Sequence, residues 1–201
     1  VRDNLKKILE ASHRARELVN LIELINLENE QKQQPVNVSL VIRDVLKLMR
    51  ASMPTTIEID QNLMTESETV LCDPAQLHQV VLNLCTNAHF SMRDSGGVMS
   101  VMLDPIDIDA VGAAQHSGLK PGPYLRLTVS DTGQGIEAEN LERIFDPYFS
   151  TKEHEVGTGL GLAVVRWIIK KYGGTINVSS EPGKGTSFTV YFPVNKTSEN
   201  E

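Results

Sequence analysis

Cysteine is nearly missing from this chain: 201 residues carry only Cys72 and Cys85, with no Cys-x-x-Cys pair. That argues against a disulfide framework and makes a reducing cytoplasm the natural compartment. Cys85 sits among Leu82, Leu84 and Ala88 and reads as a buried thiol. His78, His116 and His154 show no metal-ligand spacing, which argues against a structural zinc site. Aromatic residues are only 5% of the chain, so the core should be aliphatic. No apolar run approaches the ~20 residues a membrane span needs, and no signal peptide is visible. The chain opens at Val1 and is expected to be a piece of something longer, compatible with a membrane-anchored parent. Positive charge is also short: 26 acids against 19 bases give a net charge of −7, which argues against nucleic acid as a partner. There is no internal repeat.

What is present begins with a stretch free of Gly and Pro, residues 3–31. Leu5, Ile8, Ser12, Ala15, Val19 and Ile22 recur at steps of three and four, and Leu9, Leu18, Leu21 and Ile25 widen the stripe. This predicts a long amphipathic helix that wants a partner, most simply a second copy in a helical bundle. The segment from Glu28 to Pro35 reads as a helix end or linker. Val36 to Val38 reads as a short extended piece. Ser39 is the expected N-cap of a helix through Arg50, with Val41, Val45, Leu46 and Met49 inward and Pro54 ending the run. Thr56 to Asp60 alternates as a strand does, and Val70 to Cys72 is a second short strand. Asp73 and Pro74 read as N-cap and first helical position. The helix they open should run to about Arg93, burying Leu77, Val80, Val81, Leu84, Cys85 and Ala88.

Val98 to Leu103 and Tyr124 to Ser130 read as strands, with a loop over 104–123. The second delivers Asp131 at its C-terminal end, where ligands gather on α/β sheets. A short helix is expected over Ala138 to Phe145, then a lid without periodicity from Asp146 to Thr158. A helix from Leu160 to Tyr172 closes on Gly173 and Gly174. Thr175 to Ser180 and Thr186 to Phe192 form a hairpin around Glu181-Pro182-Gly183-Lys184-Gly185. About five strands with three helices on one face of a mixed sheet make an α+β fold, a two-layer α/β sandwich.

Two glycine clusters carry the chemistry: Asp131-Thr132-Gly133-Gln134-Gly135-Ile136 and Gly157-Thr158-Gly159-Leu160-Gly161-Leu162. Glycines let backbone amides approach a ligand closely, and a helix N-terminus behind them favours phosphate. The second cluster lacks the Gly-Lys-Ser/Thr ending of a P-loop, and no strand runs directly into it as in a dinucleotide-binding unit. Two further groups stand beside them. Asn83 and Asn87, at i and i+4, point from one otherwise apolar helical face and need partners. Phe145 to Lys152 forms a run, FDPYFSTK, in which Phe145, Tyr148 and Phe149 are expected to anchor the lid on the core.

These four clusters, in this order, resemble the N, G1, F and G2 boxes of the catalytic and ATP-binding domain of sensor histidine kinases. That family shares its ATP-binding fold, of Bergerat type, with DNA gyrase, MutL proteins and heat-shock chaperones. The resemblance covers about residues 35–194. It implies ATP and Mg2+ as cofactors, with Asn87 as the Mg2+ ligand and Asp131 accepting from the adenine amine. Gly133, Gly135 and Ile136 would border the base. Gly157, Thr158, Gly159, Leu160, Gly161 and Leu162 would wrap the phosphates, with Lys152 as a point charge and Thr186 near adenine. ATP-hydrolysing relatives carry glutamate at the position of Asn83. An amide takes no proton at neutral pH, so the site should pass the γ-phosphoryl group to a histidine rather than to water. His89 departs from the family pattern and would stand in for a basic group near the phosphates, partly charged at pH 7, or pack at the surface.

The resemblance further implies three segments. Residues 1–34 would be the second helix of a dimerisation and phospho-acceptor hairpin, 35–196 the ATP-binding domain, and 197–201 a polar tail. The acceptor would lie upstream of Val1, and His13 reads as a helix-surface residue, so the fragment alone should not autophosphorylate. Expected partners are a second copy through the N-terminal helices, a response-regulator receiver domain and an upstream sensor. An ATP-driven conformational switch or a serine kinase of the same fold is the alternative, and a nucleotide-binding regulatory module is a third reading.

Overall fold

Alternation along the strands sets the first layer. In β4 (Gly97–Ile108) Met99, Val101 and Leu103 are buried while Val98 and Met102 stay exposed, so one face of the sheet is apolar and must be covered. The computed structural model describes residues 33–64, 69–115, 118–150 and 159–194. The helix expected over 3–31 lies outside them. The described elements are β1 (Gln34–Asn37), α1 (Val38–Ser52), β2 (Ile57–Leu63), β3 (Thr69–Cys72), α2 (Pro74–Ser91), β4, α3 (Ala110–Gln115), β5 (Gly122–Asp131), α4 (Gly161–Lys171), β6 (Thr175–Glu181) and β7 (Gly185–Pro193).

Five strands form one mixed sheet in the order β2-β4-β5-β7-β6, in which β2 and β4 run parallel and the other pairs antiparallel. A separate antiparallel pair joins β1 to β3. Helices α1, α2 and α4 cover the apolar face. Ile42 and Val45 of α1, Val80 and Leu84 of α2, and Val165 and Ile169 of α4 share one core with Leu125, Leu127, Val190 and Phe192 of the sheet. The fold is therefore the α+β two-layer sandwich that the pattern predicts. A hydroxyl braces the helices: Tyr172 Oη donates to Gln76 Oε1 at 2.5 Å and accepts from the Asp73 amide at 3.1 Å.

Several element boundaries differ from the sequence expectation. The N-cap of α1 is Asn37, not Ser39. Its Oδ1 accepts from the Leu40 amide at 3.1 Å and from Ser39 Oγ at 2.8 Å, so the helix starts at Val38. Asp73 caps α2 as expected, through the Ala75 amide at 2.9 Å, with Pro74 behind it. The 104–123 segment is not a plain loop. β4 continues to Ile108 opposite Gly122, and α3 follows. Pro105 is tolerated because β2 has already ended at Leu63 opposite Leu103, so β4 there has a neighbour on one side only. Asp104 and Arg126 face each other and pair at 2.7 Å. Beyond them Ile108, Leu119, Tyr124 and Tyr191 bury a small second cluster, which α3 joins through Ala113. The helix expected over 138–145 is a single 3-10 turn, Ala138–Asn140, followed by further tight turns. Arg143 N bonds Asn140 O and Asp146 N bonds Arg143 O, and Pro147 bars α-helical continuation from Asp146.

Candidate functional site

Helix α2 presents its amides where its apolar stripe ends. Leu84, Cys85 and Ala88 are buried in the core, and Asn83 and Asn87 lie half-buried beside them. Asn83 Nδ2 donates to the Gly161 carbonyl at 3.2 Å. A Cβ on Gly161 would stand 3.7 Å from Asn83 Cγ, in ordinary contact. Residues far apart in sequence are thus joined, and the amide face of α2 meets the N-terminus of α4. Among the described residues no side chain caps that terminus, where Leu160 holds the N-cap position. A helix start whose first backbone N–H groups have no side-chain partner among the described residues suits an anion. Gly159 precedes it at φ 71°. Leu160 is buried, and Leu162 packs partly buried against the core. Lys152, Gly157 and Thr158 lie outside the described residues.

Asp131 closes β5 and is only 8% exposed. Its Oδ1 accepts from the Gly133 amide at 2.9 Å and from Ser91 Oγ, the last residue of α2, at 2.7 Å. Two glycines let the loop pass between its neighbours. A Cβ on Gly133 would come within 2.5 Å of the Ser91 carbonyl oxygen, and Gly135, at φ 72°, would drive one into the Glu181 carbonyl. On the side where a side chain would stand, the end of α2 lies against Gly133 and the β6–β7 turn against Gly135. Thr186 pairs with Asp131 across β5 and β7 and is buried. Ser180 binds the rim together: it accepts from the Ile136 amide at 2.8 Å, donates to the Gly185 carbonyl at 2.9 Å and lies 2.9 Å from Thr186 Oγ1. Neither Ser91 nor Ser180 was singled out from sequence, because a serine at a helix end or in a strand carries no spacing signal.

Of the lid anchors, Phe145 and Phe149 pack against the core as expected. Phe145 meets Phe188 edge-on at 6.5 Å, and the guanidinium groups of Arg166 and Arg143 stand over Phe145 and Phe149. Tyr148 is not an anchor. It is 59% exposed and holds φ 68°, a left-handed conformation in which its amide donates to the Gly159 carbonyl at 3.0 Å.

Burial, and then the nearby positive Arg93, hold the pKa of His89 below its ordinary value, which works against the partly charged ring expected beside the phosphates. Its Nδ1 is buried without a hydrogen-bond partner among the described residues. Both cysteines are buried, and burial pushes each thiol up to about 12, helped at Cys72 by Asp73. Among the described residues no three His, Cys, Asp or Glu side chains cluster to hold a metal. An ion at Asn87 would take its other ligands from phosphate and water, which suits Mg2+.

Residues 72–196 match the family model described as histidine kinase-, DNA gyrase B- and HSP90-like ATPase. The chain is 38% identical over 197 residues to the sensor histidine kinase ZraS of Klebsiella oxytoca, covering 96% of this chain and 38% of that protein. It is 34% identical over 192 residues to the sensor kinase CckA of Brucella abortus (strain 2308), covering 94% of this chain and 20% of that one. Among solved structures, full-length ShkA in complex with AMPPNP superposes with a TM-score of 0.69 at 28% identity, over 96% of this chain and 36% of that one. The chain therefore spans well under half the length of these relatives.

Proposed function

The chain belongs to the histidine kinase-, DNA gyrase B- and HSP90-like ATPase family, and on that premise we propose that it is the ATP-binding kinase domain of a two-component sensor histidine kinase. It binds Mg-ATP and transfers the γ-phosphoryl group to a histidine of a dimerisation hairpin, for relay to a response-regulator receiver. One observation carries this reading: the Asn83 amide reaches the N-terminus of α4, which no described side chain caps, so the amide-bearing helix and the second glycine cluster form one cradle. Asp131, fixed at the far end of the same helix, supplies an acceptor for the exocyclic amine of adenine.

Each residue's part follows from its chemistry. Backbone N–H groups from Gly159 to Leu162 hold the phosphates, and Gly157, Thr158 and Lys152 extend that cradle. Asn87 offers the side-chain oxygen that would hold Mg2+, whose charge, when bound, offsets that of the phosphates. Gly133, Gly135, Ile136 and Thr186 border the base. Asn83 orients the start of α4 and, being an amide, takes no proton from water. The site therefore hydrolyses ATP poorly and works by positioning. Residues 1–34 belong to the dimerisation hairpin and 35–196 to the ATP-binding unit. The functional form is a homodimer working in the cytoplasm.

Calorimetry of the whole chain with Mg-ATP tests this, beside Asp131→Asn and Asn87→Ala. Losing a hydrogen bond to a charged group is worth about 1.5–3 kcal/mol, so Asp131→Asn should weaken binding about tenfold to a hundredfold. Asn87→Ala should remove most of the Mg2+ dependence. No binding by the parent chain sinks the ATP reading, and equal binding by all three sinks the residue roles. Joined to an upstream acceptor helix, the chain should gain acid-labile phosphate. Acid-stable phosphate would point to a serine kinase, and none to an ATP-driven switch.

A further inference from the structure

We propose that Ser91 is a positioning residue for base selection: its hydroxyl aims the Asp131 carboxylate and so sets how strongly the site prefers a purine with an amino group at C6. This rests on Asp131 as the adenine contact. Ser91 Oγ lies 2.7 Å from Asp131 Oδ1 and 2.8 Å from the Ala88 carbonyl oxygen. A serine hydroxyl has one proton and here meets two acceptors. The charge-assisted bond to the carboxylate is the stronger, so the proton goes to Asp131. The Gly133 amide donates to the same oxygen at 2.9 Å. Two donors from two different elements converge on one carboxylate oxygen. They fix the plane of the group and hence the direction of its second oxygen.

The backbone fixes Ser91 in turn. Its carbonyl accepts from the Gln134 amide at 3.2 Å, and the missing side chain of Gly133 leaves the room that Ser91 occupies. The base-reading loop is therefore seated on the end of the helix that also carries Asn83 and Asn87. A helix-end serine bonded to its own i−3 carbonyl is otherwise a local structural device. On that account Ser91 would serve the fold and be blind to the base.

The two accounts separate in nucleotide preference. Mg-ATP and Mg-ITP differ at C6 of the purine, where an oxo group replaces the amine. In the whole chain, Ser91→Ala should weaken Mg-ATP binding about 5- to 10-fold, the loss of one hydrogen bond, and leave Mg-ITP within about twofold. The ATP-to-ITP preference falls accordingly. Asp131→Asn should abolish the preference, and adding Ser91→Ala to it should change nothing more, because the serine acts through the carboxylate. Thermal unfolding of each variant establishes that it is folded. If Ser91→Ala keeps the parent's preference, or weakens both nucleotides equally, the positioning role is wrong while the ATP reading stands. If the parent chain binds no Mg-ATP, both fall together.

Discussion

Single residues here do their work by where they are buried. The thiols of Cys72 and Cys85 show the sign of that effect. Burial raises each from 9.0 to about 12, so below pH 9 both are protonated whether the chain is folded or not. Above pH 9 the unfolded chain gives up protons that the folded chain keeps, and stability falls as pH rises. The slope should approach about 1.4 kcal/mol per pH unit for each thiol. Urea midpoints between pH 8 and 10 measure it; towards pH 10 Tyr172, whose pKa burial also raises from 10.0, adds a fall of the same sign as the unfolded chain's phenol begins to ionise. Cys85→Ala should lower the slope by up to half, and a flat profile for the parent would refute the assignment. Asp131, Asn83 and Asn87 were legible from sequence because their neighbours form patterns. Ser91 and Ser180 were not, since what singles them out is a partner many residues away along the chain. Nor was the lowered pKa of His89, which depends on burial and on Arg93.

Elements were most legible where their ends carry chemistry of their own. Asp73-Pro74 marked the start of α2, and Gly173 the end of α4. The start of α1 was misplaced because Asn37 and Ser39 are both good caps, and only the hydrogen bonds decide between them. Asn37→Ala should therefore destabilise the fold by about 1 kcal/mol, as should Asp73→Ala, in chemical denaturation. An unchanged midpoint for Asn37→Ala would return the cap to Ser39. The 104–123 segment misled for a different reason. Its prolines and glycines argue for a loop when weighed alone. Pro105, however, sits where β4 lacks one neighbour, and Gly122 opens β5. The Asp104–Arg126 pair and the Tyr124–Tyr191 cluster then continue the sheet outward.

At the scale of the whole molecule, the span matched by the family model, 72–196, is smaller than the folding unit. Helix α1 lies outside that span, yet it supplies Val38, Ile42, Val45, Leu46 and Met49 to the core. Each such side chain stabilises by about 1.5–3 kcal/mol when buried. Together they match the net stability of a typical domain, about 5–15 kcal/mol. A 72–196 fragment should therefore show no cooperative thermal transition, where the whole chain does. A sharp transition in the fragment would show that α1 is dispensable. The sandwich itself was readable because strand alternation and helix stripes demand each other's cover. Strand order was not, because sequence fixes neither which strand lies beside which nor that β2 runs parallel to β4. One detail at the edge of the site has a reach beyond its size. The Tyr148 amide and the Gly159 carbonyl close a backbone stem. It ties the end of the Phe145 to Ser150 run to the residue that leads into α4, so a shift on either side of the stem is passed to Leu160 and, through the Gly161 carbonyl, to Asn83.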